Sequence, residues 1–399
     1  MALSSLQIRI LIAVTIGLAL GYSNLAVTTF GLFVSPLADL YGWGRQDIST
    51  AASIMLLCAL VAAPMGGWLA DRYGAKPVVM LSSVFLAIAF AVAGLAGDSL
   101  AIFYVAYAAI ALGGMGTMPP CYTRNIVRHF DAGRGFALGI SLAGIGVIAA
   151  FLPPLVSTVI HAYGVKGAYF LLAGLSLIPF FIVYRMLLSA PAARESLSIR
   201  QESELRLFSA AGAWNRLLRI ALVALLLGLF TGATWTNMTP LLLDKGMSNG
   251  GAALTMSVLA ASMTVSRVIT GFLLDKIHVK VVAAIFLSPV VIALFILASG
   301  VQGVYAAFCV AVIGIGIGAE FDIVSYAISR YLPNAYYGRL FGVCYSMVAL
   351  GSALGARLFG GVFDLTGDYG LALFIVTLTT GLAILILQTF GAYPAHTAT

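Results

Sequence analysis

The chain has 399 residues, of which 61% are hydrophobic and only 9% are charged. A soluble domain has roughly a quarter of its residues charged, so this composition excludes one. The formal net charge is +7, which in a soluble protein would suggest a nucleic-acid partner. In so apolar a chain, the meaning of this charge depends instead on how the cations are distributed over the loops. No nucleic-acid partner is predicted.

The sequence divides into about twelve apolar stretches of roughly 20 residues, each long enough to cross a hydrocarbon core of about 30 Å as a helix. Backbone groups in lipid must be hydrogen-bonded within the protein, which makes helices the default. We therefore predict an all-α membrane protein with twelve transmembrane helices, in contact with the lipid bilayer. The cysteines are expected to be small buried residues, and neither a metal site nor a cofactor is predicted. They are Cys58, Cys121, Cys309 and Cys344.

The first predicted span begins near Leu11 and runs past Val34 without a small-residue cleavage pattern, so we expect a retained helix. Its Tyr22 and Asn24 are candidates to line a cavity. Aromatic side chains with a polar tip suit an organic anion with an apolar body. For each such residue, ordinary helix packing is the alternative.

The second predicted span ends in Gly67-Trp-Leu-Ala-Asp71-Arg72-Tyr-Gly-Ala-Lys76. An acid at a helix end, followed by cations in a tight glycine turn, can form ion pairs in one conformation and lose them in another. We predict a conformational gating role for Gly67, Asp71, Arg72 and Lys76.

The fourth predicted span adds Tyr107 and Tyr122 to the cavity candidates. Arg124 follows, one turn before Arg128. We expect Arg124 to extend its side chain toward the cytoplasmic interface.

The longest polar stretch runs from about Arg185 to Arg219 and divides the predicted spans six and six. We predict a cytoplasmic linker at residues 185–219. It would join an N-terminal six-helix bundle, residues 1–184, to a C-terminal six-helix bundle, residues 220–399.

The two halves repeat. Gly271-Phe-Leu-Leu-Asp275-Lys276-Ile-His-Val-Lys280 aligns without gaps on the loop after the second span, and Gly114-Met-Gly116 recurs as Gly316-Ile-Gly318. Matches in the same order indicate parallel repeats, hence pseudo-symmetric bundles. The gating prediction therefore extends to Asp275 and Lys276.

The loop Gly-x-Leu-x-Asp-Arg-x-Gly-x-Lys and its degenerate copy resemble the signature of the major facilitator superfamily, and the resemblance covers essentially the whole chain. It implies two six-helix bundles that enclose a central cavity and expose it alternately to each side. It also implies a secondary transporter in a cell inner (plasma) membrane. A duplicated chain makes a functional monomer the simplest expectation.

Charge in the loops predicts the orientation. With the N-terminus in the cytoplasm, the loops on the opposite side contain only Arg45, Lys166 and Lys245 as cations. This is the positive-inside pattern, and it predicts that both termini are cytoplasmic.

The seventh predicted span contains Trp235 and Asn237, two further cavity candidates. The eighth contains Arg267, two turns or about 12 Å before Asp275. An ionisable residue at such a depth costs at least roughly 2.5 kcal/mol, so Arg267 requires a partner or a wet cavity.

Glu320 and Asp322 of the tenth predicted span lie at a similar depth. A separation of two residues turns a helix by about 200°, so the two acids face different directions. We expect one to pair with Arg267 or pack on a neighbouring helix, and the other to face the pathway and couple transport to protons. The alternative is a buried ion-pair cluster that only joins helices.

The eleventh predicted span contains Tyr345, a cavity candidate, and Arg357. Arg357 has no acid close by in its own helix until Asp364, about 10 Å further on. It is expected either to bind an anion or to extend past Gly360 and Gly361 to the membrane interface.

An arginine on the eighth span with a cation on the eleventh resembles the oxalate:formate antiporter branch, and Gly-Ala-Glu-x-Asp on the tenth resembles its bacterial monocarboxylate-transporter relatives. The resemblance implies that Arg267 and Arg357 bind substrate carboxylates. Two departures are Arg357, where the antiporter has lysine, and an acidic pair that suits proton coupling better than anion exchange.

We therefore predict a secondary active transporter that moves a small organic anion, a mono- or dicarboxylate, by alternating access, coupled to protons or to a counter-anion. The alternative is a proton-driven exporter of drugs or metabolites, although residues 139–146 lack the Gly-Pro element of such exporters. An enzyme is not expected, because all four histidines lie in loops or the tail.

Overall fold

The computed structural model describes residues 4–186 and 212–394, and in these ranges the chain is helical with no β-strand. Most of the predicted linker, residues 187–211, lies outside the described residues. In the first range the α-helices are α1 (Ser5–Ala19), α2 (Phe30–Tyr41), α3 (Arg45–Tyr73), α4 (Ala75–Gly94), α5 (Leu100–Gly113), α6 (Pro119–His129) and α7 (Arg134–Met186). In the second they are α8 (Ala213–Asp244), α9 (Asn249–Leu274), α10 (Val279–Ala298), α11 (Gly303–Tyr331), α12 (Tyr337–Thr366) and α13 (Gly370–Gln388).

Eleven helical segments of the described chain are long and apolar enough to cross a membrane. The 53-residue α7 counts once, although Gly164 interrupts it at a φ of 73°. Only glycine adopts such a left-handed conformation readily. The helix has 30 residues before Gly164 (134–163) and 22 after it (165–186), and each number reaches the roughly 20 residues that a span requires. The all-α membrane class is thus confirmed, and the count of twelve spans stays a prediction.

The described chain forms two compact units. The first comprises the described residues of Met1–Asp131, Ser141–Gln201 and Ala335–Gly342. The second comprises those of Ala132–Ile140, Glu202–Asn334 and Val343–Thr399. Each unit therefore includes one short segment from the other half of the sequence, and the predicted boundaries at residues 184 and 220 stay predictions.

In the second unit, small residues let α11 approach α9 closely. A side chain at Gly314 would overlap the backbone of α9 at Leu259, and one at Gly318 would overlap it at Met263. The hydroxyl of Ser266 on α9 donates to the carbonyl oxygen of Ile315 on α11 at 2.7 Å. This contact fixes the register that sets Arg267 of α9 beside the acidic residues of α11.

Replacing Gly314 with Ala is expected to lower the melting temperature by several degrees, because the added Cβ meets backbone and overpacking costs about 1–3 kcal/mol. Thermal unfolding of the purified protein in detergent measures this. The matched control is Gly381→Ala in α13, where a Cβ meets nothing within 4 Å. It should be neutral or stabilising by up to about 1 kcal/mol, and equal losses in the two variants would contradict the close packing of α9 and α11.

Candidate substrate and gating sites

A buried charged cluster lies in the second unit where α9 meets α11. Arg267 is 5% exposed, and Glu320 and Asp322 are fully buried. Nη1 of Arg267 lies 4.0 Å from Oδ2 of Asp322. This distance gives strong attraction in a medium of low dielectric constant, but it is too long for a hydrogen bond.

Glu320 has a different partner. Its Oε2 accepts a hydrogen bond from the hydroxyl of Thr231 on α8. Its Oε1 has no hydrogen-bond partner in the described chain. The two acids of α11 therefore contact different helices, Asp322 facing α9 and Glu320 facing α8.

The cluster has hydrogen-bonding capacity that its own residues do not use. Nε and Nη1 of Arg267 and both carboxyl oxygens of Asp322 lack hydrogen-bond partners among the described residues. Leaving a buried polar atom unpaired costs about 1–3 kcal/mol, and more for a charged group. The cluster is therefore suited to bind a polar ligand that carries hydrogen-bond acceptors for Arg267.

An aromatic ring lies beside Arg267. The guanidinium carbon lies 5.8 Å from the ring centroid of Phe321, within the range of a cation–π contact. The ring of Phe321 lies 5.7 Å from that of Tyr345 on α12. The structure thus brings Tyr345 to the cluster through Phe321. Phe321 could not be selected from the sequence, because an aromatic ring in an apolar helix is ordinary.

Arg357 lies away from the cluster. It follows Tyr345 on α12 by twelve residues, or about 18 Å of helix. It is exposed and has no ion pair within the described ranges. On α8, Trp235 is 45% exposed, and Asn237 donates to the carbonyl oxygen of residue 233 in its own helix at 3.1 Å.

The remaining cavity candidates lie in the first unit, and all are buried. The side-chain amide of Asn24 donates to two backbone carbonyl oxygens, at 2.7 and 3.0 Å. The hydroxyls of Tyr107 and Tyr169 lie 2.9 Å apart, and the backbone N–H of Tyr22 donates to a threonine hydroxyl at 3.1 Å. The hydroxyl of Tyr122 has no hydrogen-bond partner in the described chain, so it could still form a hydrogen bond with a ligand.

Asp71, at the end of α3, binds the first turn of α12 within the first unit. Its carboxylate accepts hydrogen bonds from the backbone N–H groups of Gly338 at 3.0 Å and Arg339 at 2.8 Å. An acid is favourable at a helix N-terminus, where N–H groups are otherwise unpaired. Nε of Arg124 also donates to Asp71 at 2.7 Å. The expectation that Arg124 extends to the interface was wrong, because this carboxylate binds it inside the protein.

Asp275 makes the equivalent contact in the second unit. It accepts hydrogen bonds from the backbone N–H groups of Gly135 at 2.7 Å and Phe136 at 2.8 Å, at the start of α7. No cation of the described residues pairs with it. A side chain at Gly67 or Gly271, one turn before each aspartate, would overlap the backbone of the bound segment. Both predicted loops thus use a glycine and an aspartate for one purpose, the binding of a helix start.

The cations that follow these aspartates contact aromatic rings. The cations near Asp71 come from other helices: Arg124 of α6 binds it, and Nε of Arg339 on α12 lies 3.9 Å from its Oδ2. The ring contacts are those of Arg72 with Trp68 and Tyr73 at 5.4 Å each, Lys76 with Tyr184 at 5.5 Å, and Lys276 with Phe272 at 4.0 Å. Among the described residues, no group of three or more His, Cys, Asp or Glu side chains could bind a metal ion.

Asp71→Asn is expected to lower the melting temperature more than Asp275→Asn does. It leaves Arg124, whose side chain is 12% exposed, without its carboxylate, and an uncompensated buried charge costs about 3–5 kcal/mol. Asp275 accepts hydrogen bonds only from N–H groups, and the side-chain oxygen of the asparagine in Asp275→Asn can still accept one of them. Thermal unfolding in detergent tests both variants, and the double variant Asp71→Asn with Arg124→Gln should lose less than the sum of its parts. Strict additivity would contradict the ion pair.

A model of the Major Facilitator Superfamily matches residues 14–356 of the chain. Human monocarboxylate transporter 11 is 26% identical over 377 residues, which cover 88% of this chain and 76% of the relative. Bovine (Bos taurus) monocarboxylate transporter 13 is 25% identical over 387 residues, covering 93% and 87%.

Solved structures share the fold. The human organic anion transporter TETRAN superposes with a TM-score of 0.73 at 18% identity, covering 96% of this chain and 99% of that one. The E. coli fucose:proton symporter superposes with a TM-score of 0.75 at 14% identity, with the same coverage.

Proposed function

The chain belongs to the Major Facilitator Superfamily, whose members are membrane transporters and not enzymes, and on that premise we propose that it transports small organic anions with a single carboxylate group. Transport would proceed by alternating access in a cell inner membrane, with both termini cytoplasmic and twelve spans in two bundles. A monomer contains both halves and suffices for this mechanism.

The observation that carries the proposal is the buried guanidinium of Arg267. Its Nε and Nη1 have no hydrogen-bond partner in the described chain, and a planar guanidinium fits a carboxylate through two parallel hydrogen bonds. The nearest acid, Asp322, is 4.0 Å away, too far to satisfy those N–H groups. A substrate carboxylate would satisfy them.

The relatives support the same class of substrate, because the curated proteins that match most of this chain are named monocarboxylate transporters. The position of Arg357 supports a substrate with one carboxylate. Arg357, the second cation that a dicarboxylate would need, lies about 18 Å along α12 from Tyr345. A small dicarboxylate is shorter than this length of helix.

The body of the substrate would lie against Phe321, whose ring lies beside Arg267, and against Tyr345, whose ring packs on Phe321. A flat apolar wall beside a cation suits a short carbon chain or a planar group with a carboxylate at one end. The unused N–H groups of Arg267 require a hydrogen-bond acceptor, which a lipophilic cation does not provide, and this weighs against the exporter alternative.

Coupling to protons is the mode that the acids of α11 favour. Buried carboxyl groups next to a cation that binds the substrate can take up and release protons as the substrate binds and leaves. The helix-start contacts of Asp71 and Asp275 would form in one conformation of the transport cycle and break in the other.

Arg267→Gln is expected to reduce carboxylate uptake into proteoliposomes by at least about tenfold, because one charge-assisted hydrogen-bonded pair is worth at least about 1.5 kcal/mol. Radiolabelled lactate, pyruvate and succinate serve as probes, with and without an inward proton gradient. Arg357→Gln is the matched control and should retain monocarboxylate uptake.

Thermal unfolding of each variant separates loss of binding from loss of folding. If both arginine variants lost uptake and the wild type preferred succinate, the result would support the two-cation dicarboxylate site instead. Absence of saturable uptake of any carboxylate by the wild type would overturn the proposal and leave the exporter.

A further inference from the structure

We infer that the two acids of α11 have different tasks: Asp322 is the resting counter-ion of Arg267, and Glu320 is the residue that binds the coupling proton, oriented by the hydroxyl of Thr231. The inference rests on the proposed function and deepens it. It assigns separate roles to two residues that the sequence leaves interchangeable, and it adds Thr231, which the sequence did not indicate.

Asp322 faces the cation. Its Oδ2 is 4.0 Å from Nη1 of Arg267, and neither of its carboxyl oxygens has a hydrogen-bond partner in the described ranges. The attraction of Arg267 is therefore what compensates the burial of the Asp322 charge. A substrate carboxylate that binds Arg267 directly would compete with Asp322 for the same N–H groups.

Glu320 faces a neutral group. Its one hydrogen-bond donor in the described chain is the Thr231 hydroxyl on α8, and its Oε1 is buried without a partner. A neutral hydroxyl compensates a buried negative charge far less than a cation does, so proton binding relieves Glu320 more than it relieves Asp322.

The charged groups around Glu320 are few. On α9 the charged residue that interacts with it is Arg267, and on its own helix Asp322 lies two residues away. The helix α8 contributes Thr231, and α10, which also packs on α11, has Lys280 as its sole charged residue, in its first turn. Proton binding at Glu320 therefore responds to the state of Arg267 and Asp322 above all.

Charge balance links the proton to the substrate. With both acids ionised, the cluster of Arg267, Asp322 and Glu320 has a net charge of about −1 by the ordinary ionisation of these groups. A bound monocarboxylate with an ionised Glu320 would make it −2, whereas the same anion with a protonated Glu320 leaves it at −1. Anion binding and proton binding thus favour each other, and the coupling is reciprocal.

The role of Thr231 follows from its direction of donation. A hydrogen bond donated to a carboxylate stabilises the ionised form. The Thr231 hydroxyl therefore lowers the pH at which Glu320 binds its proton. Removing the donor should extend proton-driven uptake to higher pH. Thr231→Val deletes the hydroxyl at nearly constant volume, and Thr231→Ser retains it.

The test is the pH dependence of lactate or pyruvate uptake into proteoliposomes. We expect Thr231→Val to move the midpoint upward by about one pH unit, the shift that corresponds to one hydrogen bond of about 1.4 kcal/mol. Thr231→Ser should keep the wild-type midpoint. The matched control is Thr234→Val, one turn on, whose hydroxyl donates to the backbone carbonyl of residue 230 at 2.8 Å and should leave the midpoint unchanged.

Glu320→Gln and Asp322→Asn test the division of tasks. Glu320→Gln should abolish accumulation driven by a proton gradient while retaining exchange of labelled for unlabelled substrate. Asp322→Asn should retain the proton dependence and lower KM, because the competitor for Arg267 has lost its charge.

Each failure is separable. A wild type that takes up no carboxylate overturns the proposed function and this inference with it. A wild type that takes up carboxylate, with an unchanged midpoint in a folded Thr231→Val variant, overturns the role of Thr231. Proton-driven accumulation that survives in Glu320→Gln and disappears in Asp322→Asn overturns the assignment of the two acids.

Discussion

The central constraint on this molecule is the burial of a guanidinium in a helix that must cross lipid. Arg267 is 5% exposed, and a charge so placed is stable only beside an opposite charge or a polar ligand. The glycines of α11 meet that requirement by letting the helix approach α9 closely enough for Asp322 to reach Arg267. The pairing of charges between these two helices therefore depends on the packing of their small residues.

The same rule operates at the helix ends. Asp71 and Asp275 each compensate two backbone N–H groups at a helix start, and the glycine one turn before each aspartate allows the approach. The repeats differ in their cations: Asp71 also binds Arg124 and lies 3.9 Å from Nε of Arg339, whereas the residue that aligns with Arg124 in the second half is Tyr326. The first copy is thus an ion pair with hydrogen bonds, and the second is a hydrogen-bonded cap.

The membrane class, the repeat and the residues Arg267, Glu320 and Asp322 could be predicted from the sequence, because ionisable groups stand out in apolar helices. Thr231 and Phe321 could not, since their part depends on which helix faces which. The interface role expected for Arg124 failed for the same reason: its depth in the sequence was visible, but its partner 53 positions earlier was not. The break at Gly164 in α7 likewise depends on a backbone conformation that composition does not reveal.

The proposed anion site and the proposed proton site share one cluster, and this has a mechanistic consequence. Coupling between ligands requires only that each change the free energy of binding the other, and charges a few ångströms apart in a medium of low dielectric constant do so directly. No chain of intermediate residues needs to transmit a signal between Arg267 and Glu320. In the proposed scheme the net charge of the cluster is the same when it is empty and when it holds an anion and a proton. The loaded and empty steps would therefore move the same charge in opposite directions, and the membrane potential would do no net work on the cluster over a cycle.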